Sequence, residues 1–323
     1  MTMTQKAYKS FAYKFEPFTQ INLTTDRYNQ IDVLIESDNP YWVHFEKPSK
    51  TLQNQLAKKF KLPKMARVVL FAEDVRSRCV KVEDGYVLIF HGVQPSTMLG
   101  NDDFPTLRFW IRKDSVLSLS TGKIDAIYDL QKDMHSMPNP SIMRCLIRLI
   151  EDLASYLEDS IYNIDEQLNK IEINLEYTEE ATLKISSMRQ DIIFLRRYIL
   201  PQRDALISFS TKIDFVSNPT KELLKELSDG MLRQVEFIEM VRERAIIIQD
   251  NLMNQIGEIA NRRMYLLTII MLIFTPAFFI MGMFSMYLPL PGMNSHYTWW
   301  WVSLSIVLTS VGLFWLFKKK RWL

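Results

Sequence analysis

The stretch MYLLTIIMLIFTPAFFIMGMFSMYLPLPGMNSHYTWWWVSLSIVLTSVGLFWLF, residues 264–317, contains no Asp, Glu, Lys or Arg. A bilayer core of roughly 30 Å takes about 20 apolar helical residues, so this run is too long for a single crossing. Inside it lie Pro289, Leu290, Pro291, Gly292, Met293, Asn294, Ser295 and His296. Two prolines and a glycine there break a helix. The run therefore reads as two spans, about 264–288 and 297–317, joined by a short loop at 289–296. Arg262 and Arg263 precede it, and Lys318, Lys319, Lys320 and Arg321 follow it. The positive-inside rule places both flanks, and with them both termini, in the cytoplasm. Tyr297, Trp299, Trp300 and Trp301 then form an outer aromatic belt, with Tyr265 and Trp322 near the inner surface. A buried hairpin of a soluble protein would need neither the basic flanks nor the aromatic ends.

Upstream the composition changes. The chain has 323 residues, a formal net charge of +2 and 24% charged residues, yet its apolar excess is concentrated at the C-terminus. About 260 residues are left for a cytosolic part, enough for one large domain or two smaller ones. Lys6 and Lys9 are followed by no apolar h-region, so no signal peptide is expected. Cys79 and Cys145 lie far apart, without CxxC or CxxH spacing, and read as buried thiols of a reducing compartment rather than a disulfide or a metal site. The near-neutral charge gives no nucleic-acid footprint. His44, His91, His135 and His296 are scattered, and neither an HExxH motif nor a GxxxxGKS phosphate loop occurs, so an enzyme or an ATP-driven pump is not indicated.

Residues 1–137 read as an α/β domain. Segments 31–35, 41–45, 86–90, 107–111 and 115–119 are rich in β-branched, aromatic and aliphatic residues and are predicted as strands. Residues 49–60 are predicted as a helix with Ser49 as N-cap. Pro138, Asn139 and Pro140 close this part. Helical periodicity with almost no glycine follows through a long-helix region and stalk, 138–262. One helix is expected at about 141–176 and a second at about 179–214, interrupted at Pro201. A third starts after Pro219 and runs into the membrane domain, 263–323, to about 287, with a kink expected at Pro276. At 1.5 Å per residue the third helix would be roughly 100 Å long.

One face of that helix carries Asp250, Asn254, Gly257, Asn261, Met264, Thr268, Met271, Thr275, Phe278, Gly282 and Ser285, at spacings of four and three. Polar groups on a membrane helix face a bundle interior or a water-filled cavity. Two spans per chain cannot enclose a cavity, but several chains sharing an axis can. Asp250 would then form a carboxylate ring at the inner mouth. Asn254 and Asn261 would form amide rings, and Thr268 and Thr275 hydroxyl rings. Met264, Met271 and Phe278 would form apolar constrictions that gate by dewetting. Asp250, Asn261 and His296 are the candidate cation ligands. A packing seam of small residues is the alternative. A second acidic series, Glu151, Glu158, Asp165, Glu172 and Glu179, flanked by Asp152, Asp159 and Glu166, lies on one face of the first long helix. It reads as a solvated or Lys/Arg-paired face, with a cation reservoir as the alternative.

Several strings resemble the CorA metal-ion transporter superfamily and, within it, the ZntB-like zinc transporters: 73–78 (EDVRSR), Gly92-Val93, 107–111 (LRFWI), 195–206 (LRRYILPQRDAL), 242–245 (RERA), 261–265 (NRRMY) and the terminal 321–323 (RWL). The resemblance covers nearly the whole chain. It implies a homopentameric funnel in the inner or plasma membrane, a stalk helix lining the pore, and transport of divalent cations rather than use of a cofactor. Zinc is the first candidate ion and magnesium or cobalt the alternatives. The implied partners are further copies of the chain, the bilayer and the cation. The family ends its first span with Gly-x-Asn, whose asparagine ring is the outer filter. Here Ser285, Met286 and Tyr287 stand at that position. The literal Gly292-Met293-Asn294 falls after Pro289 and Pro291, about 28 residues beyond Met264, and reads as a turn. This departure leaves open a membrane-anchored sensor or scaffold that no longer transports.

Overall fold

The computed structural model describes residues 10–16, 18–23, 29–36, 39–73, 76–93, 104–134, 136–174, 179–285 and 297–319. They fall into two compact units, Met1–Ile248 and Gln249–Leu323.

In the first unit, strands β1 (Ser10–Phe15), β2 (Phe18–Leu23), β3 (Tyr41–Glu46), β4 (Arg78–Val82), β5 (Gly85–His91), β6 (Thr106–Ile111) and β7 (Ser115–Ser120) make one sheet in the order β2-β1-β3-β7-β6-β5-β4. β3 and β7 pair in parallel, Trp42 opposite Val116, and the other described pairs are antiparallel. Every residue of β5 and β6 is buried. Strands so covered on both faces read as continuous apolar runs, which is why 86–90 and 107–111 are legible without alternation. Successive side chains point to opposite faces, so Trp42, Leu88 and Phe109 enter one core and Val43, Val87 and Trp110 the other. Helices α1 (Asn29–Ile35), α2 (Lys50–Lys59) and α3 (Lys64–Leu70) cover the second core with Leu34, Leu56, Ala66 and Leu70. The first core is closed by α4 (Asp125–Met134) and by α5 (Ile142–Asn174), α6 (Glu179–Lys212) and the start of α7 (Asn218–Ser285), through Leu130, Leu149, Phe209 and Leu224.

Local details follow the sequence closely at α2, whose N-cap Ser49 accepts a hydrogen bond from the Leu52 amide at 3.3 Å. Segment 31–35 is corrected: it is helix α1, not a strand. Ile31 and Leu34 are buried three residues apart, on one side of a helix, and Asp32 reaches Lys59 on α2 at 2.8 Å. Packing onto the sheet outweighs the β-branched composition of so short a segment. The interruption at Pro201 is likewise corrected. α6 continues through it, losing one rung of its backbone ladder. Buried Leu195 and Ile199 before the proline and Leu206 and Phe209 after it keep the helix on course. Gln202 Nε2 donates to the His91 carbonyl at 3.1 Å, and Tyr86 Oη donates to the Lys212 carbonyl at 2.6 Å, tying α6 to β5.

The second unit holds the remainder of α7, a 68-residue helix, and α8 (Thr298–Lys319). Among the described residues, two helices, Asn218–Met283 and Trp299–Lys319, are long and apolar enough to cross a membrane. Only 6% and 0% of their most apolar windows are buried, which a core helix of a soluble protein would not show.

Candidate ion-conduction face

The long α7 exists because no proline falls between Pro219 and Pro276 and glycine is scarce. Continuous helix carries the predicted stripe from Asp250 to Ser285 on one face without a change of register. Asp250, Asn254, Asn261, Met264, Thr268, Met271, Thr275, Phe278, Gly282 and Ser285 are exposed in the single chain, and Gly257 is half-exposed. From Met264 onward, the shielded residues of α7 are Ile269, Ile273, Pro276, Ala277 and Ile280. At about 100° per residue they lie roughly opposite the stripe. On α8 the shielded residues are Val302, Ser303, Ser305, Ile306, Ser310, Leu313 and Phe317, which share one side of the helix. Ser310 Oγ lies 3.4 Å from the Ile273 carbonyl, so α8 sits on the face of α7 away from the stripe.

The stripe's hydroxyls have a definite polarity. Thr268 Oγ1 donates to the Met264 carbonyl at 2.8 Å, Thr275 Oγ1 to Met271 at 2.6 Å, and Ser285 Oγ to Met281 at 3.0 Å. Each hydrogen is turned back onto the helix, which leaves the oxygen lone pairs as acceptors. Acceptor-only oxygens suit a cation or the waters around it. At Gly257 and Gly282 an added Cβ would meet nothing within 4 Å, so this chain's own packing does not require either glycine.

The described residues contain no group of three or more His, Cys, Asp and Glu able to hold a metal ion. Asp250 and Asn261 stand eleven residues apart, roughly 16 Å along the axis, so within one chain they do not share an ion. Met286, Tyr287 and His296 lie outside the described residues, as do the loop 289–296 and the tail from Lys320.

His44, His91, the two cysteines and much of the acidic series are absorbed by the fold, and His135 lies outside the described residues. His44 is 3% exposed and its Nδ1 lies 2.9 Å from Ser118 Oγ, to which Trp42 Nε1 donates at 2.7 Å. His91 Nδ1 lies 2.8 Å from Ser77 Oγ. Cys79 and Cys145 are buried free thiols, pushed by burial up to about 11 and about 12. Much of the α5 acidic face is paired, and Glu179, expected on that face, is corrected: it opens α6, beyond the end of α5 at Asn174. Arg148 meets Glu151 and Asp152 at 3.7 and 3.3 Å, and Lys170 meets Glu166 at 2.8 Å. Arg244 of α7 reaches Asp165 at 2.8 Å and also bonds Asn169 and Glu172. Sequence reading did not single out Arg244 for this role. Its signal was a basic residue on a helix whose neighbour bears acids every seven residues.

Comparison with known proteins points one way. The family model described as CorA-like Mg2+ transporter protein matches residues 37–319. A divalent cation transporter, CmaX, of Pseudomonas aeruginosa is 28% identical over 306 residues, 91% of each chain. A zinc transport protein, ZntB, of Yersinia enterocolitica is 23% identical over 296 residues, 90% of each chain. Among solved structures, the complete CorA magnesium transporter from Methanocaldococcus jannaschii aligns with a TM-score of 0.80 at 18% identity, covering 99% of this chain and 100% of that one. Full-length CmaX aligns with a TM-score of 0.79 at 24% identity, covering both chains completely. At these identities the structural likenesses establish the fold. With the family match spanning most of its length, the chain belongs to the CorA-like Mg2+ transporter protein family, a family of ion transporters and not of enzymes.

Proposed function

We propose that the chain is a zinc-transporting member of this family, conducting divalent cations along the α7 stripe where five copies meet at a common axis. The observation that carries the reading is the division of α7 in the membrane segment. One face is shielded on the α8 side, while the opposite face, exposed in the single chain, presents acceptor oxygens between apolar residues. The Thr268 and Thr275 hydroxyls already donate to their own helix, and copies around an axis would turn their remaining acceptor sites from lipid toward a polar path. In this arrangement Asp250 forms a carboxylate ring that gathers cations at the inner mouth, and Asn254 and Asn261 replace part of their hydration. Met264, Met271 and Phe278 narrow the path. Both termini lie in the cytoplasm, following the basic flanks, with 1–137 and 138–262 inside and 263–323 in the inner or plasma membrane. Zinc is preferred because zinc transport proteins occur among the relatives. Magnesium or cobalt conduction is the alternative within the class.

A second reading has its own support. Ser285-Met286-Tyr287 stands where the family carries Gly-x-Asn, and a bulky phenol replaces an amide acceptor. A non-transporting sensor or scaffold would tolerate that change. Zinc flux into proteoliposomes, with empty vesicles as control, separates the two. Transport predicts flux above the control, lowered several-fold in Asp250→Ala. It predicts altered selectivity or higher flux in Tyr287→Asn and little change in Asn294→Ala. Zinc binding without flux would establish the sensor. Loss of flux in Asn294→Ala with silence in Tyr287→Asn would make 292–294 the filter.

A further inference from the structure

Pro276 lies inside α7 and has no N–H, so the Leu272 carbonyl, four residues earlier, has no helical donor. In hydrocarbon a backbone oxygen without a donor is costly, and neighbouring helices or hydroxyl side chains relieve such sites. The two carbonyls flanking Leu272 each face a hydroxyl. Thr275 Oγ1, on α7 itself and on the stripe, donates to the Met271 carbonyl at 2.6 Å. Ser310 Oγ, on α8, faces the Ile273 carbonyl at 3.4 Å. The neighbouring α8 hydroxyls behave differently. Ser305 Oγ donates to the Val302 carbonyl at 2.8 Å, and Thr309 Oγ1 to Ser305 at 2.8 Å and Ile306 at 3.0 Å, all on their own helix. Beside Ile273, Ala277 is buried, and its methyl lets α8 come close to the backbone at this turn.

We infer that Ser310 is a positioning residue for conduction: its hydroxyl latches α8 to the Pro276 turn of α7, a hinge between the lower stripe (Met264 to Met271) and the upper stripe (Phe278 to Ser285). The turn is weak because one rung is missing, and weak turns are where long helices bend. The contact is also suited to switching. At 3.4 Å it is longer than the roughly 2.5–3.0 Å of an ordinary O–H···O bond, a loose contact that a displacement of a few tenths of an ångström tightens into a bond or releases. A bend here moves Phe278 relative to Thr275 and Met271, and so changes the width of the proposed path without altering any ring's chemistry. Thr275 is committed to its short bond with Met271, so the partner that can let go is Ser310.

The conduction part of this inference rests on the transport reading, and the hinge part does not, so the test has two arms on the full-length protein in nanodiscs and proteoliposomes. In hydrogen–deuterium exchange, Ser310→Ala should speed exchange of the 273–280 amides about threefold, the size expected for one interhelical hydrogen bond. Ser310→Thr should restore protection, and Ser305→Ala should leave this segment unchanged. Pro276→Ala restores the missing rung to the Leu272 carbonyl and stiffens the turn, so adding Ser310→Ala to it should have a smaller effect than in the wild type. In the flux arm, Ser310→Ala should raise the resting leak of divalent cations and Ser310→Thr should not. Unchanged exchange in Ser310→Ala, or an equal effect of Ser310→Ala with and without Pro276, would overturn the latch. Increased exchange with no cation flux in any variant, wild type included, would keep the latch and remove the transport reading.

Discussion

His44 is 3% exposed and surrounded by the first core of the α/β unit, stacked on Phe11 with ring centroids 5.1 Å apart. Burial alone pushes its imidazole down to about 3. An unfolded histidine titrates near 6.5, so below that pH the unfolded chain takes up a proton that the native state refuses. Stability is therefore complete above pH 6.5 and is lost as pH falls toward 3, by about 2 kcal/mol at pH 5. His44→Asn should cost about 1 kcal/mol at pH 7.5, from the contact to Ser118, and should flatten the pH dependence between 5 and 6.5. Thermal unfolding across that range checks it, and an unchanged acid slope would place the sensitivity elsewhere. The same residue shows the limit of reading single side chains. A lone histidine in a strand carries no local mark that separates a ligand from a core residue. The distinction lies in Ser118 and Trp42, 74 and 76 residues away from their respective partners.

Elements repeat the lesson over longer stretches. Helices expected at about 141–176, 179–214 and 220–287 are found at Ile142–Asn174, Glu179–Lys212 and Asn218–Ser285, because 3.6-residue periodicity sustained over tens of residues is a strong local signal. A five-residue apolar run such as 31–35 carries too few periods to choose between helix and strand, and its neighbours decide. How α5 and α7 hold together is likewise non-local. Gln234 Nε2 donates to the Ala154 carbonyl at 2.9 Å, and Arg244 sits across Asp165, Asn169 and Glu172. Arg244→Ala would leave a half-buried Asp165 beside Glu172 with no cation between them. A loss of about 1–2 kcal/mol is expected, discounted for the partial exposure of all three groups. Arg244→Lys should recover only part of it, since one ammonium cannot span the acceptors that a planar guanidinium reaches. Denaturant unfolding of the full-length protein measures this, and an Arg244→Ala variant as stable as wild type would show the cluster to be solvated decoration.

For the whole molecule, the exposed α7 stripe sets an assembly requirement. Thr268, Met271, Thr275 and Phe278 are exposed in one chain, on the side opposite the residues shielded by α8. If this face lines a shared path, the chain purified in mild detergent should have the mass of five copies plus detergent. The assembly should also survive substitutions on the lipid side of α8, such as Leu308→Ala. A stable monomer or dimer would count heavily against a path on the axis and leave the stripe as a seam between two helices.

The sequence by itself determined the charge-free apolar run, its two candidate spans, the long helices, the stripe and the α/β character of the first part. All of these are written in composition or in periodicity along contiguous residues. Even the stripe's spacing needed only the helical repeat. Tertiary structure alone decided the sheet order with its parallel β3–β7 pair, the helical state of α1 and the passage of α6 through Pro201. It also turned the hydroxyl hydrogens of Thr268 and Thr275 away from the stripe and set Ser310 against Ile273. These depend on which distant groups come within a few ångströms of one another, and such distances are fixed only when the chain packs.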